Sequence, residues 1–171
     1  MAEECLFCAI ASGKIPSFKV YENDNFVAFL DINPANIGHI ILITKKHFSS
    51  IMEVDPTIMS EMFLVARALS LPLLEEGYDG VNFLVQIGDA AGQRVPHMYL
   101  HIVPRKKGDQ IPLAWNPQKA TEAQLKEMRD KLASRVKMPK DEPKKVEVIE
   151  MKPKDEPKKE VYTFRPRTGG R

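Results

Sequence analysis

The sequence predicts an α+β fold, an antiparallel sheet with helices packed on one face. Three observations carry this. Two strand-like stretches, "FKVYEN" and "FVAFLD", alternate in polarity and are joined by "DN", which is turn chemistry. "HIILIT" is a nearly continuous apolar run of strand length, as a central strand requires. A single long segment of helical period separates these three strands from two more, "GVNFLVQIG" and "HMYLHIVPR". Strands that follow one another directly favour an antiparallel meander over a parallel crossover sheet.

The elements follow in order. "CLFCAIASG" reads as a short helix ended by Gly13. The three strands come next. "DPTIMSEMFLVARALSLPLLEEG" has Asp55 as N-cap and Pro56 at the first helical position. Its apolar residues at 58, 62, 65, 66 and 69 keep helical spacing. Pro72 lacks a backbone donor and is expected to end or kink this helix near Leu71. The two last strands follow. In "TEAQLKEMRDKLASRV", Thr121 and Gln124 match a capping box. Leu125, Met128, Leu132 and Val136 form a narrow apolar stripe there, suited to packing on the core or on a second copy of the chain.

From Lys137 the composition changes. "PKDEPKK" occurs twice, at 139–145 and 153–159, each copy followed by a strand-like piece, "VEVIE" and "EVYTF". Residues 137–171 hold 11 Lys and Arg against 7 Asp and Glu, a surplus of +4, whereas the rest of the chain carries −2. The expected organisation is a folded domain over 1–109, a linker and helix over 110–136, and a flexible, mildly basic tail over 137–171. Such a tail could add a strand to a sheet edge or recruit a protein partner. Nucleic-acid binding is disfavoured, because Tyr162 and Phe164 are the tail's only aromatics.

With 171 residues, 43% of them hydrophobic, the chain can build an ordinary packed core. A formal charge of +2 selects no class of partner. No apolar run reads as long enough to cross a bilayer, and "MAEECLFCAI" shows no secretory pattern. A cytoplasmic protein is expected. The two cysteines, Cys5 and Cys8, stand too close for a useful disulfide; in a reducing compartment such a pair more often binds metal or does redox chemistry.

The chemistry concentrates in "RVPHMYLHIVPR". Residues two apart on a strand share a face, so His97, Tyr99 and His101 line up, while Met98, Leu100 and Ile102 turn to the core. The other histidines, His39 and His47, flank the central strand. "GDAAGQ" precedes the histidine strand, and its small residues let backbone N–H groups approach an anion.

"AGQRVPHMYLHIVPR" resembles the signature of histidine triad (HIT) proteins, in which three histidines alternate with apolar residues. The resemblance extends over roughly residues 5–107, through "CLFC", "GKIPSFKVYENDNFVAFLDINPANIGHIILITKKHF" and "GVNFLVQIG". It implies a HIT-like sheet, a homodimer, and binding of a purine mononucleotide or nucleotide conjugate with transfer or hydrolysis at the α-phosphate. Leu6, Phe7, Ile10, Phe29, Leu30 and Ile32 match the base pocket. Asp31 matches the carboxylate that accepts from the ribose hydroxyls, as one carboxylate can do for both. Gly92, Gln93 and the amides after them match the phosphate cradle. His101 matches the third histidine of the triad, and His39 one behind the site. Cys5, Cys8, His47 and His97 match the zinc ligands of one branch, and two thiolates with two imidazoles suit a closed tetrahedral zinc site.

Two positions depart from the pattern. The family's central histidine attacks phosphorus, and here that position is Tyr99. A phenol with an ordinary pKa of about 10 is a poor nucleophile at neutral pH. Tyr99 is then a pocket wall or phosphate donor, a nucleophile activated by His101, or a bystander to direct attack by water. Gln86 stands where the resemblance implies an asparagine, one methylene shorter. The expected function is nucleotide binding with weak or altered turnover, as a phosphoramidase, dinucleotide hydrolase or nucleotidyl transferase. The alternative is a non-catalytic nucleotide-binding or interaction module.

Overall fold

The computed structural model describes residues 5–112 and 116–137. The chain falls into two units, residues 1–116 and 117–171, and each is taken by itself. In the first, the order is α1 (Leu6–Ala11), β1 (Lys19–Glu22), β2 (Phe26–Leu30), β3 (Ile40–Thr44), α2 (Pro56–Glu75), β4 (Gly80–Leu84) and β5 (Tyr99–Arg105). Short 3-10 turns at Ile51–Glu53 and Asp89–Ala91 lie in the connections. The strands form one antiparallel sheet ordered β1-β2-β3-β5-β4. The apolar run at 40–44 is therefore its middle strand, and all five of its residues are buried. The α+β antiparallel expectation holds.

Register sorts the side chains. Ile41 pairs with Phe29 and His101, and Ile43 with Val27 and Tyr99, so these share one face. Phe26, Ala28, Leu42, Leu100 and Ile102 occupy the other, where Met62, Val65, Ala66 and Leu73 of α2 seal the main core. Phe7 and Ile10 of α1 pack with Val27, Phe29, Ile41, Ile43 and Tyr99. The long helix thus covers one face and α1 a patch of the opposite one. Six residues make a helix too short to stand alone, so its place depends on that packing.

Asp55 caps α2 by accepting from the Thr57 amide at 2.8 Å. This helix departs from the sequence expectation in two ways. It does not end near Leu71: Pro72 lies inside it, and Glu76 N–H still bonds the Pro72 carbonyl at 2.9 Å. The proline costs one hydrogen bond near the helix end, and the extra turn seats Leu73 in the core. Nor is every segment too short or polar to span a bilayer. By length and composition α2 qualifies, with 20 residues and a window of mean hydropathy 1.4. Its inner face lies on the sheet, however, and its Glu61 carboxylate accepts from Asn23 and Asn25 at 3.0 and 2.7 Å. It is the core helix of this fold.

In the second unit, α3 (Glu122–Ala133) carries the expected capping box between Thr121 and Gln124. Leu125, Met128 and Leu132 on it, and Val136 just after it, are exposed. The repeats, the strand-like pieces and the flexibility expected for the tail lie outside the described residues.

Candidate functional site

The face of the sheet opposite α2 carries two adjoining groups of chemistry. The first is Cys5, Cys8, His47 and His97, whose ligand atoms all lie within 4.8 Å of one another. Cys5 Sγ is 3.4 Å from His97 Nδ1, and Cys8 Sγ is 3.3 Å from His47 Nδ1 and 3.6 Å from His97 Nδ1. A tetrahedral zinc with Zn–S of about 2.3 Å and Zn–N of about 2.0 Å spaces sulfur and nitrogen about 3.5 Å apart, so the four side chains fit that ion. The tautomer fits too. Fully buried His97 donates from Nε2 to the Thr44 carbonyl at 2.9 Å, which leaves the Nδ1 lone pair facing the sulfurs. Burial holds His97 below the usual imidazole pKa, in the neutral form a metal needs. Burial and the neighbouring Cys5 push the Cys8 thiol up to about 11, so metal binding there must displace its proton.

The second group lines a cavity of about 630 Å³ between α1, β2, β3 and β5. Leu6, Phe7, Ile10, Phe29, Leu30 and Ile32 form its apolar end, and Asp31, His39, Gln86, Gly92, Tyr99 and His101 its polar side. The ring edges of Phe7 meet Tyr99 and His97 at centroid distances of 5.1 and 5.8 Å. Of the residues assigned to the nucleotide, Gln93 alone has no place in the lining. Its side chain instead accepts from Gly88 N–H at 2.9 Å and donates to the Ser49 carbonyl at 2.7 Å, stapling the loop. Ile15, Pro16, Ser17 and Phe18 before β1 also line the cavity and were not expected from the sequence, whereas Arg94 and Val95 before β5, also in the lining, are among the residues after Gln93 whose amides were expected in the phosphate cradle. The Ser17 hydroxyl oxygen is buried without a hydrogen-bond partner, the one such side-chain atom among the described residues. A non-repetitive stretch between elements gives no periodic signal by which to find such residues.

The polar side is wired. Asp31 directly follows β2, and its Oδ1 accepts from Asn33 N–H at 2.9 Å. Ala35 N–H donates to His39 Nδ1 at 3.2 Å, so His39 carries its proton on Nε2. That proton meets His101 Nδ1 at 2.9 Å, so His101 in turn holds its own on Nε2. The Asp31 carboxylate stands 3.5 Å from His39 Nδ1, a position already taken by the amide. Burial lowers the pKa of both histidines against the opposing pull of Asp31, and His39 adds to the lowering at His101. Both are neutral near pH 7, and His101 is a hydrogen-bond donor at its free nitrogen. Gly92 has φ of +88°, and a Cβ there would come within 2.6 Å of Gln86 Nε2, so the Gln86 amide rests directly on this glycine.

Comparison with known proteins places this arrangement. A crystal structure of a HIT family protein from Bacillus anthracis superposes with a TM-score of 0.73 at 33% identity, covering 80% of this chain and all of that one. A zinc-bound histidine triad family protein from Mycobacterium smegmatis gives a TM-score of 0.63 at 34% identity, over 78% of this chain and 96% of that one. Adenylylsulfatase HINT3 of Arabidopsis thaliana is 36% identical over 110 residues, 64% of this chain and 56% of that protein. The family model described as the HIT domain matches residues 12–108, so more than half of the chain, including every strand of the sheet, belongs to the HIT domain family.

Proposed function

We propose that the cavity binds a purine mononucleotide or a nucleotide conjugate, that the Cys5–Cys8–His47–His97 cluster holds a structural zinc ion, and that turnover at the α-phosphate is weak or altered. The observation that carries the reading is the composition of one cavity: apolar Leu6, Phe7, Ile10, Phe29, Leu30 and Ile32 together with the Asp31 carboxylate and the polar Gln86, Tyr99 and His101. Its size lies in the range of small-molecule sites, about 300–1,000 Å³. In this reading the base sits between Phe7, Ile10 and Phe29, and Asp31 accepts from the ribose. One Asp31 oxygen is only partly used by Asn33, which leaves acceptor capacity for both hydroxyls. The α-phosphate then lies by Gln86, Tyr99 and His101. The plant relative's name, an adenylylsulfatase, supports an adenylyl group as the ligand.

Zinc is supported by the spacing of the four ligands and by the zinc-bound mycobacterial neighbour. When bound it supplies no chemistry at phosphorus: its ligand shell is closed, and it ties α1 to the sheet. The altered turnover rests on position 99, where the resemblance places a nucleophilic imidazole and this chain has a phenol. His101 does not cure this. With Nδ1 occupied by His39, its free nitrogen bears a proton and is set to donate, not to deprotonate Tyr99. A homodimer is supported by exposed apolar residues on α2 and the edge strand β4, among them Phe63, Leu74 and Phe83.

Calorimetric titration with adenosine monophosphate (AMP), on the wild type and on Asp31→Ala, tests the nucleotide. The variant is expected to bind more weakly by about 1.5–3 kcal/mol, the range for hydrogen bonds to a charged group. Equal affinity would remove Asp31 from the site, and no binding by either protein would refute the reading.

A further inference from the structure

The glycine-rich loop before β5 is placed like an anion cradle, yet four of its amides, those of Gly88, Ala91, Gly92 and Gln93, are already hydrogen-bonded within the loop. Ala91 and Gln93 donate to the Gly88 carbonyl at 3.1 and 3.2 Å, and Gly92 donates to the Asp89 carbonyl at 2.9 Å. Gly88 N–H goes to the Gln93 side chain. The Arg94 amide points across the cavity floor and donates to the Tyr99 hydroxyl at 3.2 Å. That is the one hydrogen bond of this hydroxyl among the described residues, and in it the phenol oxygen is the acceptor. Its proton is therefore left over, on a buried side chain that lines the cavity. The ring stands nearly perpendicular to His101, at 82° and 5.0 Å between centroids.

We infer that Tyr99 is the hydrogen-bond donor that recognises the α-phosphate, and that the Arg94 amide positions it. The inference rests on the nucleotide reading above. A phenol can accept through oxygen and donate its proton at once. Accepting from the amide fixes the hydroxyl and polarises its O–H bond toward the cavity. The anion is then gripped by side chains, the Tyr99 hydroxyl, His101 Nε2 and the Gln86 amide, with the loop as their frame. Gln86 resting on Gly92 belongs to the same arrangement. The replacement that removes a nucleophile thereby adds a phosphate-specific contact, and the site selects for a phosphorylated nucleoside over a neutral one.

The test is the ratio of affinities for AMP and adenosine in the wild type and in Tyr99→Phe, which keeps the ring and removes only the hydroxyl. The inference expects AMP to weaken about tenfold or more in the variant, with adenosine within about twofold. AMP binding that is unchanged or tighter would overturn it, because the freed Arg94 amide would then be the true phosphate donor. Equal weakening of both ligands would also overturn it, leaving Tyr99 a wall. If the wild type binds neither ligand, the nucleotide reading fails and this inference with it. Amide NMR gives a readout that needs no variant. The Arg94 N–H resonance should respond alike to AMP and adenosine, and a large downfield shift with AMP alone would mean direct contact with phosphate and contradict the inference.

Discussion

Single atoms decide what the histidines can do. His39 Nδ1 is committed to the Ala35 amide, and this one contact sets both tautomers down the line to His101. Long-range proton–nitrogen NMR is expected to show both imidazoles protonated at Nε2. Because burial lowers their pKa, each should take up its proton only at a pH below the ordinary imidazole value of about 6.5. A His101 spectrum protonated at Nδ1, or an ordinary titration, would break the relay. Sequence alone exposed the candidates, since alternation on one strand puts His97, Tyr99 and His101 on a common face. It could not expose the tautomers, which depend on an amide four residues away from His39 and a histidine sixty-two residues away. Gln93 shows the same limit: a motif position marks a place in the loop, and only the fold shows its side chain turned to Ser49 and Gly88.

At the scale of elements, α1 is where the two groups of chemistry meet. Cys5, just before it, and Cys8, within it, belong to the cysteine–histidine cluster proposed to hold zinc, while Leu6, Phe7 and Ile10 line the cavity. Elemental analysis of protein purified without added metal should find one zinc per chain; a value near zero in folded protein refutes the cluster's assignment. Cys8→Ser should cost about 2–4 kcal/mol, as loss of a structural ligand does, measured by urea unfolding. Because α1 is too short to hold its place unaided, metal removal should also weaken AMP binding. Unchanged AMP affinity in metal-free protein would uncouple the two sites. The other elements were legible where their periodicity is strong: the β3 run and the Asp55-Pro56 start of α2 are found where the residues put them. They were less legible where packing overrides propensity. Leu73 draws the helix past Pro72, and the side of the sheet on which α1 lies follows from Phe7 and Ile10 meeting Phe29 and Tyr99 rather than from any local pattern.

Over the whole molecule, buried neutral histidines make stability depend on pH. His39 and His101 have lowered pKa values when folded, so below about pH 6.5 the unfolded chain takes up protons that the folded one refuses. Their contribution is complete above about pH 6.5 and is lost as the pH falls from there toward the folded values. The two groups act in the same direction, so their losses add as the pH falls below about 6.5. Urea unfolding across this range should show it, and the double variant His39→Asn, His101→Gln should flatten it. A profile as steep in the variant would place the cause elsewhere. The proposed metal binding to His97 and the thiols would add a dependence of the same sign, so comparison with the double variant isolates the relay. In the function proposed above, this HIT domain keeps a nucleotide pocket while Tyr99 denies it the usual nucleophile. Hydrolysis of adenosine 5′-phosphoramidate, followed with intact-protein mass spectrometry on wild type, Tyr99→His and Tyr99→Phe, tests it most directly. Wild type and Tyr99→Phe should be slow alike and free of adduct, and Tyr99→His should gain at least about tenfold, about 1.4 kcal/mol of barrier. A fast wild type carrying a nucleotidyl-tyrosine mass that disappears in Tyr99→Phe would make Tyr99 the nucleophile and refute the proposed function.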